Sequence, residues 1–152
     1  MRPPSIDLLD PNDTDTVLWL WRRSFEHGVG IHDPDPTIDG IRGYFQAEVR
    51  PKNAVRVAKV GETVVGVLAS NAESVSALYV RVDHIGQGIG SRLLETAKAE
   101  SSGSLWLYTF AKNANARRFY AKHGFVEIEY GFEPFWKLDD VKLSWSSTRS
   151  AA

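Results

Sequence analysis

Cysteine is absent from this chain of 152 residues, which removes disulfides, thiolate metal sites and a cysteine nucleophile together. Neither sign of charge predominates: 18 Lys and Arg stand against 19 Asp and Glu, a net charge of −1. There is therefore no broad electrostatic footprint for nucleic acid or an anionic membrane, and a strongly charged acceptor is disfavoured. No apolar run is long enough to span a bilayer, and Met1-Arg2-Pro3-Pro4-Ser5 lacks the apolar stretch of a signal peptide. These absences leave a soluble cytoplasmic protein as the expectation, with neither nucleic acid nor membrane as partner. Internal repeats and linkers are missing too. The length suits one domain with a substantial core, read here as residues 1–145, and the small polar residues 146–152 read as a disordered tail. His27 and the pair His32-Asp33 fit no strong ligand spacing, so no metal is expected.

What is present centres on Ser76 to Leu94. Ser76-Ala77-Leu78-Tyr79-Val80 is β-prone. Ile89, Leu93, Leu94 and Ala97 recur at helical spacing. Between them stand Gly86, Gly88 and Gly90. Alternate glycines bring bare backbone N–H groups close to a ligand, because no Cβ intervenes. At the first turn of a helix those groups lack intrahelical partners and carry the positive end of the macrodipole. The result is a site for a phosphate or pyrophosphate. The dinucleotide pattern G-x-G-x-x-G fails at Ser91 and at Leu93, and no Gly-Lys-Ser/Thr follows. A ligand-free tight turn and a pyrophosphate loop of another kind remain.

The other elements follow from periodicity. Ser5 to Leu9 reads as a strand. Asp10-Pro11 starts a helix whose stripe is Val17, Leu20, Trp21 and Phe25, with Trp19 off it. His27 to Pro36, with two glycines and two prolines, reads as a loop. Ile38, Ile41 and Phe45 begin a second helix that Arg50-Pro51 ends. Val55–Val60 and Thr63–Ala69 form a hairpin about Gly61-Glu62. Leu105–Phe110 is a strand, Asn115–His123 a helix closed by Gly124, and Phe125–Tyr130 and Val141–Trp145 two further strands joined by a turn over Gly131–Asp140. The order is β-α-α-β-β-β-α-β-α-β-β, an α/β sandwich.

The glycine stretch resembles the acetyl-CoA signature of the GNAT superfamily of N-acetyltransferases, Gln/Arg-x-x-Gly-x-Gly/Ala, with Gly88 and Gly90 in register. Ile85 stands where that family usually has Gln or Arg; one side-chain contact goes and the backbone cradle stays. Asn113-Ala114-Asn115-Ala116-Arg117-Arg118-Phe119-Tyr120-Ala121-Lys122-His123-Gly124-Phe125 resembles the family's Asn-x-x-Ala-x-x-Phe-Tyr-x-x-x-Gly-Phe. The resemblance implies a GNAT fold, with a mixed, mostly antiparallel central sheet of about seven strands flanked by helices.

It also implies roles. Leu78, Tyr79 and Val80 would pair with the pantetheine arm, and the Val80 N–H would face the thioester oxygen. Gly86, Gln87, Gly88, Ile89, Gly90 and Ser91 would hold the pyrophosphate. Asn113 would contact the pantetheine arm, cap its helix, or both. Phe119 and Tyr120 would complete the cofactor site. Tyr120 is the candidate general acid, because a phenol of pKa about 10 is protonated at neutral pH; packing beneath the sheet is its alternative role. Glu73, just before the central strand, is the candidate base, against the alternative of an exposed loop acid. Phe135-Trp136 would border the acceptor and hint at an apolar or aromatic amine, whereas Trp106 and Trp145, in strands, read as core. The implied activity is direct acetyl transfer from acetyl-CoA to a primary amine of a small molecule or protein, and the resemblance also implies a homodimer. The alternative is a GNAT-fold module that binds acetyl-CoA as a sensor without catalysis.

Overall fold

The elements grow from the alternation and helical stripes in turn. The computed structural model describes residues 3–148, and among them seven strands form two sheets. In the first sheet β1 (Ser5–Leu8), β2 (Ala54–Val60), β3 (Thr63–Ser70) and β4 (Val75–Val80) lie in chain order, each antiparallel to the next. In the second, β5 (Ser104–Phe110) and β6 (Val126–Glu133) both pair antiparallel with β7 (Leu138–Ser146), giving the order β5-β7-β6. The expected single sheet is thus split. Its halves meet at one parallel bridge, Ser74 to Trp106, and diverge beyond it.

Helix α1 (Thr14–Val29) follows a 3₁₀ turn, Pro11–Asp13, whose Asn12 N–H donates to the Asp10 carboxylate at 2.9 Å. It buries Val17, Leu18, Leu20, Trp21, Phe25 and Val29. The sequence reading ends this helix before His27, and the structure corrects it. Gly28 keeps helical angles despite its poor propensity, because Val29 behind it is buried. Gly30 then closes the helix at φ 79°, its N–H donating to the Glu26 carbonyl at 2.8 Å. Helix α2 (Asp39–Tyr44) runs on into a π turn, Phe45–Val49, and a 3₁₀ turn, Arg50–Lys52.

Helix α3 (Ile89–Glu100) lays Ile89, Leu93, Leu94 and Ala97 on the first sheet. Gly66 of β3 permits that approach, since a Cβ there would lie 2.9 Å from Leu93 Cδ1. Helix α4 (Ala114–Lys122) starts from Asn113, whose Oδ1 accepts the Ala116 N–H at 3.1 Å.

Two further readings change. The turn expected over residues 131–140 is mostly strand, because cross-strand pairing overrides the low β propensity of Gly131 and Asp139. The chain reverses at Lys137, which has φ 56°. Trp106 is not core: it is 41% exposed, with the Lys142 ammonium 5.0 Å from its ring, whereas Trp145 is buried. At the end of the chain, Ser146 pairs with Ser104, and the Ser147 N–H donates to the Gly103 carbonyl at 2.8 Å. Residues 149–152, the rest of the expected tail, lie outside the described residues.

Candidate active site

The divergence of β4 from β5 opens a cleft of about 640 Å³, walled by the end of α1, the start of α3, α4 and the β6–β7 hairpin. Both lips are sheet-edge strands. Just past the end of β4 the Arg81 N–H donates back to Val65 of β3 at 2.8 Å. Successive N–H groups along a strand point to opposite sides, so that of Val80 turns away from β3 and into the gap.

Beyond Val80 the chain makes a 3₁₀ turn, Val82–His84, and reaches the glycines. Gly86 and Gly88 both have φ 85°, a conformation that disfavours side chains, and nothing lies within 4 Å of where their Cβ atoms would be. Gly88 caps α3, whose first internal bond here is Arg92 N–H to the Gly88 carbonyl at 3.1 Å. The N–H groups of Ile89, Gly90 and Ser91 are the helix's free donors. Lys122 and His84 line the same end of the cleft. Free donors, open space and the Lys122 ammonium fit a pyrophosphate, and a bare strand edge fits a pantetheine arm.

Most residues singled out from the sequence gather here. Leu78, Tyr79, Val80, Gly86, Gly88, Ile89, Gly90, Ser91, Asn113, Phe119 and Tyr120 all line the cleft. Tyr120 is buried between the rings of Phe119, 5.2 Å away, and Phe125, at 5.5 Å. Burial, with Tyr79 nearby, pushes its hydroxyl above the ordinary phenol range, so it is fully protonated at neutral pH. Tyr79 stacks on Trp21 at 5.2 Å and is raised in the same way, mainly by burial. Gln87 is exposed and is not among the lining residues. Glu73 is not brought to the cleft: it is exposed in the β3–β4 turn, its N–H bonded to the Asn71 side chain at 2.9 Å, beside a separate hollow with Tyr44, Lys52 and Trp106.

Sequence reasoning missed several contributors. Buried Arg22 donates to the carbonyls of Thr37 at 2.7 Å, Asp33 at 3.1 Å and Asp35, and so ties the α1–α2 loop to α1. Gly28 gives room to the Asn113 carboxamide, whose Nδ2 would lie 2.6 Å from a Cβ at that position. Ser91 Oγ lies 3.0 Å from His123 Nε2. Asp140 and Glu133 enter the cleft from the hairpin. An arginine within an apolar helical stripe was the one signal of these visible in the sequence.

A family model described as an acetyltransferase (GNAT) domain matches residues 51–127, just over half of the chain. No curated protein matches it. Among solved structures, a GCN5-related N-acetyltransferase from Rhodopseudomonas palustris shares 18% identity at TM-score 0.75, over 96% of this chain and 97% of that one. The PaiA N-acetyltransferase of Thermoplasma acidophilum, solved in complex with coenzyme A, shares 18% at TM-score 0.73, over 95% and 99%. The yncA structure from Salmonella typhimurium, a protein solved with acetyl-CoA, shares 19% at TM-score 0.69, over 99% and 98%. At these identities the likeness is one of fold.

Proposed function

The chain belongs to the GNAT acetyltransferase family, and from that premise we propose that it is an acetyl-CoA-dependent N-acetyltransferase acting by direct transfer to a primary amine. The observation that carries this reading is the meeting, in one cleft, of a glycine cradle at the head of α3, an inward-turned N–H at Val80 and the buried hydroxyl of Tyr120.

Acetyl-CoA, when bound, supplies an activated acetyl group; the rest falls to the chain. The free N–H groups from Ile89 to Ser91, with Lys122, hold the diphosphate by charge and dipole. The edge of β4 takes the pantetheine arm as an added strand. The Val80 N–H, fixed by the strand, donates to the carbonyl oxygen as negative charge builds there. Donors of this type act strongly because they need no reorganisation. Tyr120 donates to the departing sulfur. Its burial keeps the proton in place until sulfur needs it, and the phenol recovers a proton from the nitrogen being acylated.

The alternative is a module that binds acetyl-CoA without turning it over, which needs the cradle and not Tyr120. Tyr120→Phe separates the two. With an amine panel and a thiol-release assay, the transferase reading expects turnover to fall about 100-fold, with CoA affinity unchanged by calorimetry. No thiol release by the wild-type protein with any amine, despite CoA binding, would favour the sensor.

A further inference from the structure

Among the described residues, one carboxylate of the cleft has neither a hydrogen bond nor an ion pair. Asp140 of β7 lies between Phe110 of β5 and Gly131 of β6. Directly paired residues share a sheet face, and the Phe110 ring meets Phe25 of α1 at 5.8 Å, so Asp140 stands on the face that α1 covers. The Ser74–Trp106 bridge sets its height. Counting equal steps along both parallel strands brings Phe110 abreast of Leu78. Asp140, beside Phe110, therefore stands across the gap at the level of Leu78, two residues before the Val80 N–H on the same lip.

Its surroundings differ from those of its acidic neighbour. Glu133 is engaged, accepting the N–H groups of Phe135 at 3.0 Å and Trp136 at 2.6 Å. Among the described residues no hydrogen bond or ion pair engages the Asp140 carboxylate. It leans over Gly131, where a Cβ would lie 2.8 Å from Oδ1. The other ionisable side chains on this side of the cleft are Asp139, His27 of α1 and Lys142, and the Lys142 ammonium stays over the rings of Trp106 and Tyr108, at 5.0 and 5.8 Å. Burial, then Glu133 and Asp139, raise the Asp140 carboxyl above the usual carboxylate range, which makes it a better proton acceptor. The wall beside it is aromatic: the rings of Phe25 and Phe110 line the cleft, while Trp136 packs behind Phe25 at 5.0 Å and, like exposed Phe135, is not itself a lining residue, contrary to the place expected for that pair.

Building on the transferase reading, we propose that the acceptor is an ammonium group on an aryl-alkyl body and that Asp140 takes its proton. The ammonium gives one proton to the Asp140 carboxylate and becomes a neutral amine. The nitrogen lone pair forms the N–C bond to the acetyl carbon, and the C–S bond breaks with its electron pair leaving on sulfur. Tyr120 protonates the sulfur and regains a proton from the new amide nitrogen. Asp140 passes its proton to water. The local field at the hairpin is negative although the net charge of the chain is only −1, so recognition depends on this cleft and not on the total. An amine with a carboxylate beside it would be repelled.

The test is thiol release from acetyl-CoA with 2-phenylethylamine, tryptamine, phenylalanine and the non-aromatic butylamine, from pH 7 to pH 10. The wild-type protein should acetylate 2-phenylethylamine and tryptamine, and use phenylalanine and butylamine at least about tenfold less well. Asp140→Asn should lower kcat/KM for 2-phenylethylamine about 100-fold at pH 7. The gap should narrow towards pH 10, where the amine sheds its own proton. Asp140→Glu should restore part of the rate. CoA affinity should not change, and the melting temperature of the Asn variant should not fall. An Asn variant within about twofold of wild type at pH 7, or an equal deficit at every pH, overturns the role of Asp140. Phenylalanine used as well as 2-phenylethylamine, or wild-type turnover only with amines lacking an aromatic body, overturns the acceptor class and leaves the transferase reading standing. Absence of thiol release with every amine overturns that reading, and this inference with it.

Discussion

Replacing Gly28 by alanine should weaken cofactor binding while leaving stability almost unmoved. Gly28 has helical angles in the last turn of α1, so by propensity alone alanine would stabilise the helix by about 1 kcal/mol. The new Cβ, however, would lie 2.6 Å from Asn113 Nδ2 and 3.2 Å from its Cγ. The carboxamide is the softer partner and must swing away. Doing so forfeits the cap on the Ala116 N–H, at a cost of about 1 kcal/mol. The two effects nearly cancel, and the melting temperature should stay within about 3 °C of wild type. If Asn113 also holds the pantetheine arm, one hydrogen bond of about 1 kcal/mol goes with it, and the Kd for CoA rises about fivefold. Calorimetric titration beside a thermal melt reads both. Wild-type CoA affinity at an unchanged melting temperature would remove Asn113 from the cofactor site. A fall of about 10 °C or more would show that α1, not the carboxamide, gave way, and the reasoning would fail at its first step.

Three further outcomes follow from the same geometry. Gly88→Val should abolish CoA binding in a folded protein, because φ 85° strains a branched residue and its side chain would fill the cradle; circular dichroism with calorimetry checks both halves. Arg22→Lys should cost about 3 kcal/mol and expose residues 31–37 to protease, since a lone ammonium cannot serve three carbonyls and the Asp33 carboxylate together. The His123 imidazole is held below its ordinary range by burial first and Lys98 second, so below about pH 6.5 the unfolded chain binds a proton that the folded one refuses. Stability should therefore drop as the pH falls from about 6.5 towards 5.5, and His123→Gln should flatten that part of a melting-temperature profile.

Features built from neighbouring residues were legible in the sequence; those built from register were not. The glycine turn, α3 and α4 are each specified within a few residues, by glycine spacing, a helical apolar stripe and an Asn cap, and they appear where the sequence puts them. Between the two roles offered for Glu73 the sequence could not choose, because its place depends on where two sheets part, and a single bridge at the next residue decides that. Asp140 escaped notice because β7 inserts between β5 and β6, so its partners Phe110 and Gly131 belong to strands on both sides. Gly28 read as a helix breaker because its reason for being glycine, Asn113, lies far along the chain.

The parting of the two sheets has a consequence for solubility. β4 and β5 are both edge strands, and the segments Ser76–Val80 and Leu105–Phe110 contain no lysine or proline, the residues that usually blunt such edges against pairing with another chain. Their protection is enclosure: the edges face one another across a slot lined also by the end of α1 and by the hairpin. Safety against aggregation is thus delegated to those two elements. Anything that loosens α1, from the loss of Arg22 to fraying at Gly30, bares two adhesive edges at once, and a ligand lying along β4 shields one of them.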